Sequence, residues 1–281
     1  MKKLDFILNS NHNRKRIAVD VRWEDDEIKK PIILFVHGFK GFKDWGAFNL
    51  VADYFAQQGF AYFKLNLSHN GTSPENPCDF VDLEAFGNNN YSIELDDIDV
   101  LLNHIFSSEN QVPNIDLEKV YLIGHSRGGG VAILKTKEDS RIKKLTTWAS
   151  VKSLGTSITG EGLKKWKEEG VMYVWNGRTK QNMPMYWQIY KSVQADKNRF
   201  DVMNAATILQ QEMLIIHGTA DPTVPLEAAQ DLKKQKPNAE LFIIENADHV
   251  FGSQHPYQEK TLPNDLQKVI EKTAAFFFSE K

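Results

Sequence analysis

Short apolar runs alternate with segments of helical spacing along most of the chain. The apolar runs read RIAVDVRW, IILFV, FAYFKLNL, KVYLIG, LTTWAS, EMLIIHG and AELFIIE. Runs of this length indicate strands, and most of them lack the strict alternation of a strand with one wet face. Between them, FNLVADYFAQQG places its apolar residues at helical spacing and stops at Gly59. The pattern predicts an α/β fold in which a mostly parallel central sheet is covered by helices on both faces.

One long segment departs from this alternation. Residues 151–209 contain no obvious core strand, so we expect a core formed by residues 1–150 and 210–281 and a small cap insertion at 151–209. The cap is rich in aromatic residues and methionine, which suit an adaptable ligand wall. We expect substrate contacts from Lys40 and from four cap residues, Trp175, Met183, Tyr186 and Trp187. The alternative is that these cap side chains only fix the insertion to the core.

Composition excludes several classes of function. The 281 residues carry a net charge of −3, which is no polycation for nucleic acid. Cys78 is the only cysteine, so neither an internal disulfide nor a cysteine-rich metal site can form, and we expect no metal. The start, MKKLDFILNSN, is too short in apolar residues for a signal peptide, and no run approaches a membrane span. We expect a cytoplasmic protein that binds neither nucleic acid nor membrane, with a homodimer left open.

The segment YLIGHSRGGG contains the pattern G-x-S-x-G around Ser126. A strand precedes it and a helix-compatible stretch follows, which is the context in which such a serine lies exposed on a sharp turn. The pattern alone is weak, because glycines flank serines by chance in many chains. Strand and helix together favour Ser126 as a nucleophile.

A nucleophilic serine needs a general base and an orienting acid. Asp221 follows the strand MLIIHG, and His249 follows the strand LFIIE. Asp221 precedes a proline and could be only a turn former. Asp248 could be mistaken for the acid, and His255 is a rival base, but His249 lies nearer to its strand end. We therefore predict a triad of serine, histidine and aspartate.

The same chemistry needs backbone donors for an oxyanion. We predict one from the N–H of Arg127, which follows the serine, and one from Phe39 in the loop HGFKGFKDW. The Arg127 side chain has no assigned role. One interpretation of His37 is that it only braces the loop. Lys40 and Lys43 on the same loop favour a substrate with negative charge.

The four segments HGFKG, GHSRGG, HGTADPTVP and ADHVF, in this order, resemble the α/β-hydrolase superfamily over about residues 31 to 280. Within it, the chain resembles esterases, feruloyl esterases, dienelactone-hydrolase-like proteins and the S9 and S33 peptidases. One departure lies in LNLSHNGTSPE, where Asn66 and Asn70 stand in a turn that carries Asp-x-x-Gly-x-Gly-x-Ser in many members. The departure concerns the subfamily rather than the chemistry.

These features predict a serine hydrolase that cleaves a small-molecule carboxylic ester or thioester through an acyl-enzyme, without an organic cofactor. An amidase or exopeptidase is the alternative, and it would be favoured by a cap carboxylate such as Glu161, Glu168 or Glu169 near the mouth. A binding module with the same fold and a decayed site is the non-enzymatic alternative.

Overall fold

An eight-stranded sheet organises the chain in the computed structural model, which describes residues 1–279. Its order is β1-β2-β4-β3-β5-β6-β9-β10, and a separate hairpin pairs β7 with β8. The strands are β1 (Lys2–Asn9), β2 (Arg16–Trp23), β3 (Lys30–Val36), β4 (Ala61–Leu65), β5 (Ile115–His125), β6 (Ile142–Trp148), β7 (Val171–Asn176), β8 (Gln181–Tyr186), β9 (Glu212–Gly218) and β10 (Glu240–Ile244). The helices are α1 (Phe48–Gln57), α2 (Leu83–Asn88), α3 (Tyr91–Ile105), α4 (Arg127–Glu138), α5 (Gly160–Glu169), α6 (Gln188–Ala195), α7 (Val202–Ile208), α8 (Glu227–Gln235) and α9 (Asn264–Phe278).

The sheet is mostly parallel, as the sequence predicts. All pairings from β4 through β3 to β10 are parallel, whereas β2 pairs antiparallel with both β1 and β4. The apolar run of β2 is therefore an interior strand, and β1, whose side chains are largely exposed, forms the edge on this side of the sheet. Only Leu4, Phe6 and Leu8 of the edge strand are half-buried, and its other positions are exposed, which is why its pattern is weak in the sequence.

Helices cover both faces of the sheet and produce two apolar cores. On one face α1 and α9 pack against strand residues such as Phe35 and Ile216. On the other face α3, α4, α7 and α8 pack against residues such as Leu34 and Leu122. Strands buried on both sides need apolar side chains at successive positions, which explains the near-continuous runs seen in the sequence.

The segment 151–209 consists of α5, the β7–β8 hairpin, α6 and α7. The hairpin packs on α2, a short helix in the loop between β4 and α3 that the sequence pattern does not reveal. Aromatic rings hold α5 to α6: Trp187 lies 5.3 Å from Trp166 and 4.4 Å from Tyr190 between ring centroids. In contrast, α7 packs on α4 among the core helices.

Candidate active site

Ser126 lies on the turn between β5 and α4 with φ 56° and ψ −123°, a conformation that side-chain-bearing residues rarely adopt. Two glycines permit this turn by their lack of a side chain. A Cβ on Gly124 would lie 2.3 Å from the Gly128 carbonyl oxygen, and one on Gly128 would lie 2.4 Å from that of His37. The GHSRGG pattern is thus explained by backbone contacts that leave no space for a methyl group.

The structure brings together the three residues predicted as a triad. His249 Nε2 lies 3.0 Å from Ser126 Oγ, and His249 Nδ1 lies 2.7 Å from Asp221 Oδ2. An ionised carboxylate only accepts hydrogen bonds, so the proton of the neutral imidazole resides on Nδ1 and Nε2 can accept the serine proton. The three side chains come from the carboxyl ends of three parallel strands, where open α/β sheets place their sites.

The Asp221 carboxylate is buried but well supplied with donors. Its Oδ1 accepts the N–H groups of Thr223 and Val224 at 2.8 and 2.9 Å. Burial alone would raise the pKa of Asp221, but hydrogen bonds from His217 and His249 outweigh it and hold the pKa below its ordinary range. The carboxylate therefore remains ionised through the neutral range.

His125 holds the loop of His249, a role that the sequence analysis missed. Its Nε2 donates to the His249 carbonyl oxygen at 2.9 Å, and the two rings lie 5.0 Å apart. Burial lowers the pKa of His125 to about 3, so the ring is neutral and its hydrogen bond persists at working pH. Asp248 instead caps the loop, since its Oδ1 accepts the N–H groups of Val250 and Gly252.

Two backbone N–H groups border Ser126 and lack an acceptor. Gly38 packs directly on the serine, because a Cβ there would lie 2.8 Å from Ser126 Cβ, and Phe39 follows it. Among the described residues, neither the Phe39 N–H nor the Arg127 N–H donates a hydrogen bond. Arg127 also begins α4, where the helix dipole favours negative charge.

Buried contacts fix the shape of the Phe39 loop. His37 Nδ1 donates to the Gly38 carbonyl at 2.9 Å, and its Nε2 accepts the Leu67 N–H at 3.3 Å. Burial lowers the pKa of His37 to about 4, which keeps the ring neutral. Asn66 Oδ1 accepts the Lys43 N–H at 2.6 Å. Asn66 thus supports the Phe39 loop from the turn LNLSHNGTSPE.

An ionic cluster anchors the far end of that loop. Lys43 and Lys64 both donate to Asp20 Oδ2 at 2.7 Å, and both contact Asp44. Burial opposes ionisation of Asp44, but the two ammonium groups lower its pKa to about 2. Lys43 is consequently paired with two carboxylates and does not line the cavity at Ser126, so it gives no support to the expectation of a substrate with negative charge.

The Arg127 side chain contacts Glu94 and lies over the ring of Phe39. Its Nη2 lies 2.5 Å from Glu94 Oε1, and its guanidinium carbon lies 4.6 Å from the centroid of the Phe39 ring. Glu94 is buried and also accepts from Asn89 Nδ2 at 2.7 Å. One side chain thereby links the two residues that carry the unpaired N–H groups.

A cavity of about 280 Å³ opens at Ser126 and His249. Of the five predicted substrate contacts, Lys40 lines it and the four cap residues do not. Met183 is fully buried among Phe42, Phe80 and Phe86. Trp175 is exposed, Tyr186 donates to Glu84 at 2.5 Å, and Trp187 stacks inside the cap. Met183, Tyr186 and Trp187 therefore make contacts within the protein, whereas Trp175 lies at the surface. The sequence pattern does not tell which surface each of these side chains covers.

Other lining residues were not singled out in the sequence as substrate contacts. The cavity wall includes Asn176 and Arg178 from the β7–β8 hairpin, and His255, the rival base. His255 Nδ1 accepts the Gly46 N–H at 3.0 Å, so this histidine serves the loop rather than Ser126. A second, mostly apolar cavity of about 380 Å³ lies beyond Phe39 under the cap.

Within residues 1–279, no three His, Cys, Asp or Glu side chains are grouped so that they could hold a metal ion. None of the helices found there combines the length and apolar character that crossing a bilayer requires.

Comparisons with known proteins place the chain in a family. The profile of the prolyl oligopeptidase family, peptidase S9, matches residues 47–264. A search of curated protein sequences gives no match. The chain is similar to Est1E from Butyrivibrio proteoclasticus with ferulic acid bound (TM-score 0.70, 19% identity, 96% of this chain and 97% of that one).

Two other solved structures widen the range of similar proteins. One is the alpha/beta hydrolase GrgF from Penicillium sp. sh18 (TM-score 0.73, 14% identity, 99% of this chain and 98% of that one). The other is a Mycobacterium tuberculosis puromycin-hydrolyzing peptidase (TM-score 0.67, 14% identity, 98% of this chain and 39% of that one). At these identities the structures establish a shared fold alone. The profile match over most of its length shows that this chain, with its α/β-hydrolase fold, belongs to the prolyl oligopeptidase family.

Proposed function

We propose that this hydrolase is a serine esterase, acting on carboxylic esters or thioesters through an acyl-enzyme. The observation that carries the proposal is the continuous chain of contacts from Asp221 through His249 to Ser126, at 2.7 and 3.0 Å. Both distances lie within the reach that proton transfer requires. The unpaired N–H groups beside the serine add the donors that acyl transfer needs.

Each step follows from these contacts. His249 Nε2 takes the proton of Ser126 Oγ as the oxygen attacks the acyl carbonyl, and Asp221 stabilises the imidazolium that forms. The N–H groups of Phe39 and Arg127 bind the developing oxyanion. His249 then returns the proton to the leaving group and activates water, which releases the acid and restores the serine.

Amide cleavage is the second candidate, because the chain belongs to a peptidase family. A carboxylate near the serine would pair with the charged amino terminus of a peptide and would favour an exopeptidase. The residues that line the cavity at Ser126 include no aspartate and no glutamate. Glu161, Glu168 and Glu169 all lie exposed on α5 and outside that lining. This absence of an acidic partner in the cavity favours esters.

The test compares wild type with Ser126→Ala on 4-nitrophenyl butyrate and on alanine 4-nitroanilide. We expect wild type to cleave the ester and Ser126→Ala to lose at least about 10³-fold in kcat. A fluorophosphonate probe followed by peptide mapping should label Ser126. Equal ester turnover by both proteins, or labelling of another serine, would refute the assignment, whereas faster cleavage of the anilide would favour the amidase.

A further inference from the structure

His37 and His125, which line the cavity at Ser126, form hydrogen bonds with the protein backbone, and the other polar side chains outside the triad offer donors or positive charge. Lys40, Asn176, Arg178 and His255 line the cavity, and they come from the Phe39 loop, the β7–β8 hairpin and the loop after β10. The lining contains no carboxylate that could neutralise the two cations. A ligand that fills this small cavity therefore meets positive potential on the wall next to the serine.

Lys40 is the cation with the least compensation. It follows Phe39 directly and has φ 54°, and its Nζ lies 3.3 Å from the Trp175 carbonyl oxygen. No aspartate or glutamate within residues 1–279 lies within ion-pair distance of this ammonium group. Partial burial lowers the pKa of Lys40, which is the mark of a charge that has lost water without gaining a counter-ion.

The hairpin supplies a second cation, Arg178, which contacts two aromatic rings and a backbone carbonyl. The Arg178 guanidinium lies over the rings of Phe42 and Phe80, at 5.3 and 5.6 Å from their centroids, and donates to the Cys78 carbonyl at 3.1 Å. Its nearest carboxylate, Asp79, is exposed and 3.8 Å away. Stacking of this kind fixes the guanidinium without neutralising it.

Two neutral groups add donors to the same wall. Asn176 Oδ1 accepts the Arg178 N–H at 3.1 Å, which leaves the Asn176 amide nitrogen as the free end of the side chain. His255 Nδ1 accepts the Gly46 N–H, so the proton of its neutral ring is on Nε2. Both groups can donate to a ligand oxygen.

We propose that Lys40 and Arg178, with Asn176 and His255, form a subsite for an anionic group, so that the preferred substrate is an ester or thioester bearing a carboxylate. This inference rests on the proposed esterase function and names its substrate class. The carboxylate supplies the acceptors that the donor-lined wall lacks, and its charge pairs with the uncompensated Lys40. The acyl carbonyl then reaches Ser126 from the same cavity.

The test uses two matched pairs of substrates. One pair is 4-nitrophenyl hydrogen adipate and its methyl ester, which differ by a charge on the acyl chain. The other is 4-(butyryloxy)benzoate and its methyl ester, which differ by a charge on the leaving group. The measured quantity is the ratio of kcat/KM for the charged to the neutral member, for wild type, Lys40→Gln, Arg178→Gln and Lys180→Gln.

Lys180→Gln is the matched control. Lys180 also has a positive φ, 57°, and lies on the β7–β8 turn, exposed and outside the cavity lining. We expect the wild-type ratio for at least one pair to fall about tenfold in Lys40→Gln and in Arg178→Gln, and to persist in Lys180→Gln. In wild type alone, sodium chloride raised to about 0.5 M should lower the same ratio several-fold, because salt screens the pairing.

The outcomes separate the two proposals. Turnover of the neutral esters with a ratio that neither variant nor salt alters would overturn the subsite and leave the esterase in place. An equal fall in Lys180→Gln would overturn the subsite as well, because the effect would then come from net charge. Failure of wild type to hydrolyse any of the four esters would overturn the esterase and the subsite together.

Discussion

The Arg127 side chain offers a sharp test of how the oxyanion donors are held. Arg127→Met keeps the backbone N–H and much of the side-chain length, but removes the guanidinium that contacts Glu94 at 2.5 Å and covers Phe39 at 4.6 Å. The variant therefore separates a positioning role of the side chain from the donor role of the backbone. A second variant, Arg127→Met with Glu94→Gln, removes both charges.

The two variants should differ in stability. The Glu94 side chain is 1% exposed and that of Arg127 is 14% exposed, so Arg127→Met strands a buried carboxylate whose remaining partner is Asn89. Removing one partner of a buried pair costs about 3–5 kcal/mol, most of it from the stranded charge. The double variant avoids that charge, and we expect it to lose about 1–2 kcal/mol. Urea denaturation measures both losses.

We expect kcat to fall equally in both variants, because it depends on the Arg127 guanidinium and not on the charge of Glu94. A desolvated contact between a guanidinium and an aromatic ring is worth about 1–2 kcal/mol. If that energy holds Phe39 in place, its loss lowers kcat by about 5- to 30-fold in both variants. KM should change by less than about twofold, because the donors act on the oxyanion rather than on the bound ester.

Arg199→Met is the matched control. Arg199 contacts Glu138 at 2.8 Å and lies over the Phe200 ring at 5.7 Å, but neither lines the cavity at Ser126. Its removal should leave kcat unaltered. The reasoning is refuted if the double variant retains wild-type kcat, and a rise in KM at constant kcat would instead make Arg127 a substrate contact.

Three further predictions concern Asp221 of the triad, the buried Asp97 and the glycine Gly124 beside Ser126. Asp221→Asn should lower kcat on 4-nitrophenyl butyrate by about 10³–10⁴-fold, because it removes the carboxylate that stabilises the His249 imidazolium; a loss of less than about tenfold would contradict this. Burial raises the pKa of Asp97, on α3, to about 6, so the wild-type free energy of unfolding is highest below about pH 4 and falls as pH rises through 6. The asparagine side chain cannot ionise, so the free energy of unfolding of Asp97→Asn, measured by urea titration, should rise by about 3 kcal/mol relative to that of wild type between pH 4 and 7.5. Parallel curves of unfolding free energy against pH for the two proteins would contradict this prediction. Gly124→Ala should abolish soluble, active protein, because its Cβ would lie 2.3 Å from a backbone oxygen; measurable esterase activity would contradict the close packing.

Much of the framework follows from local sequence. The strands β2 to β6, β9 and β10 and the helix α1 come from apolar runs and helical spacing within single segments, which need no knowledge of partners. Ser126, Asp221 and His249 were predicted because each follows a strand whose end is visible in the sequence. The structure brings their side chains within hydrogen-bond distance, and their catalytic role stays a prediction.

The features that the sequence does not predict depend mainly on contacts between segments far apart in the chain. Glu94 and Arg127 are 33 residues apart, and His125 meets the carbonyl of a residue 124 positions away. No periodicity marks such pairs. The cap misleads for a related reason. Met183 and Trp187 would give the same sequence pattern whether they contacted a ligand or, as the structure shows, other aromatic side chains of the protein. The edge strand β1 is not predicted from the sequence because most of its positions are exposed and do not form a long apolar run.

The ionic cluster beneath the Phe39 loop has a consequence for transplanting this site. The family profile begins at residue 47, yet Asp20, Lys43 and Asp44 all precede it. A fragment cut at that boundary would leave Lys64 buried without either carboxylate that neutralises it. The Phe39 loop therefore cannot be transferred to another hydrolase by itself. A graft of this loop must also include Asp20 on β2 and Lys64 on β4.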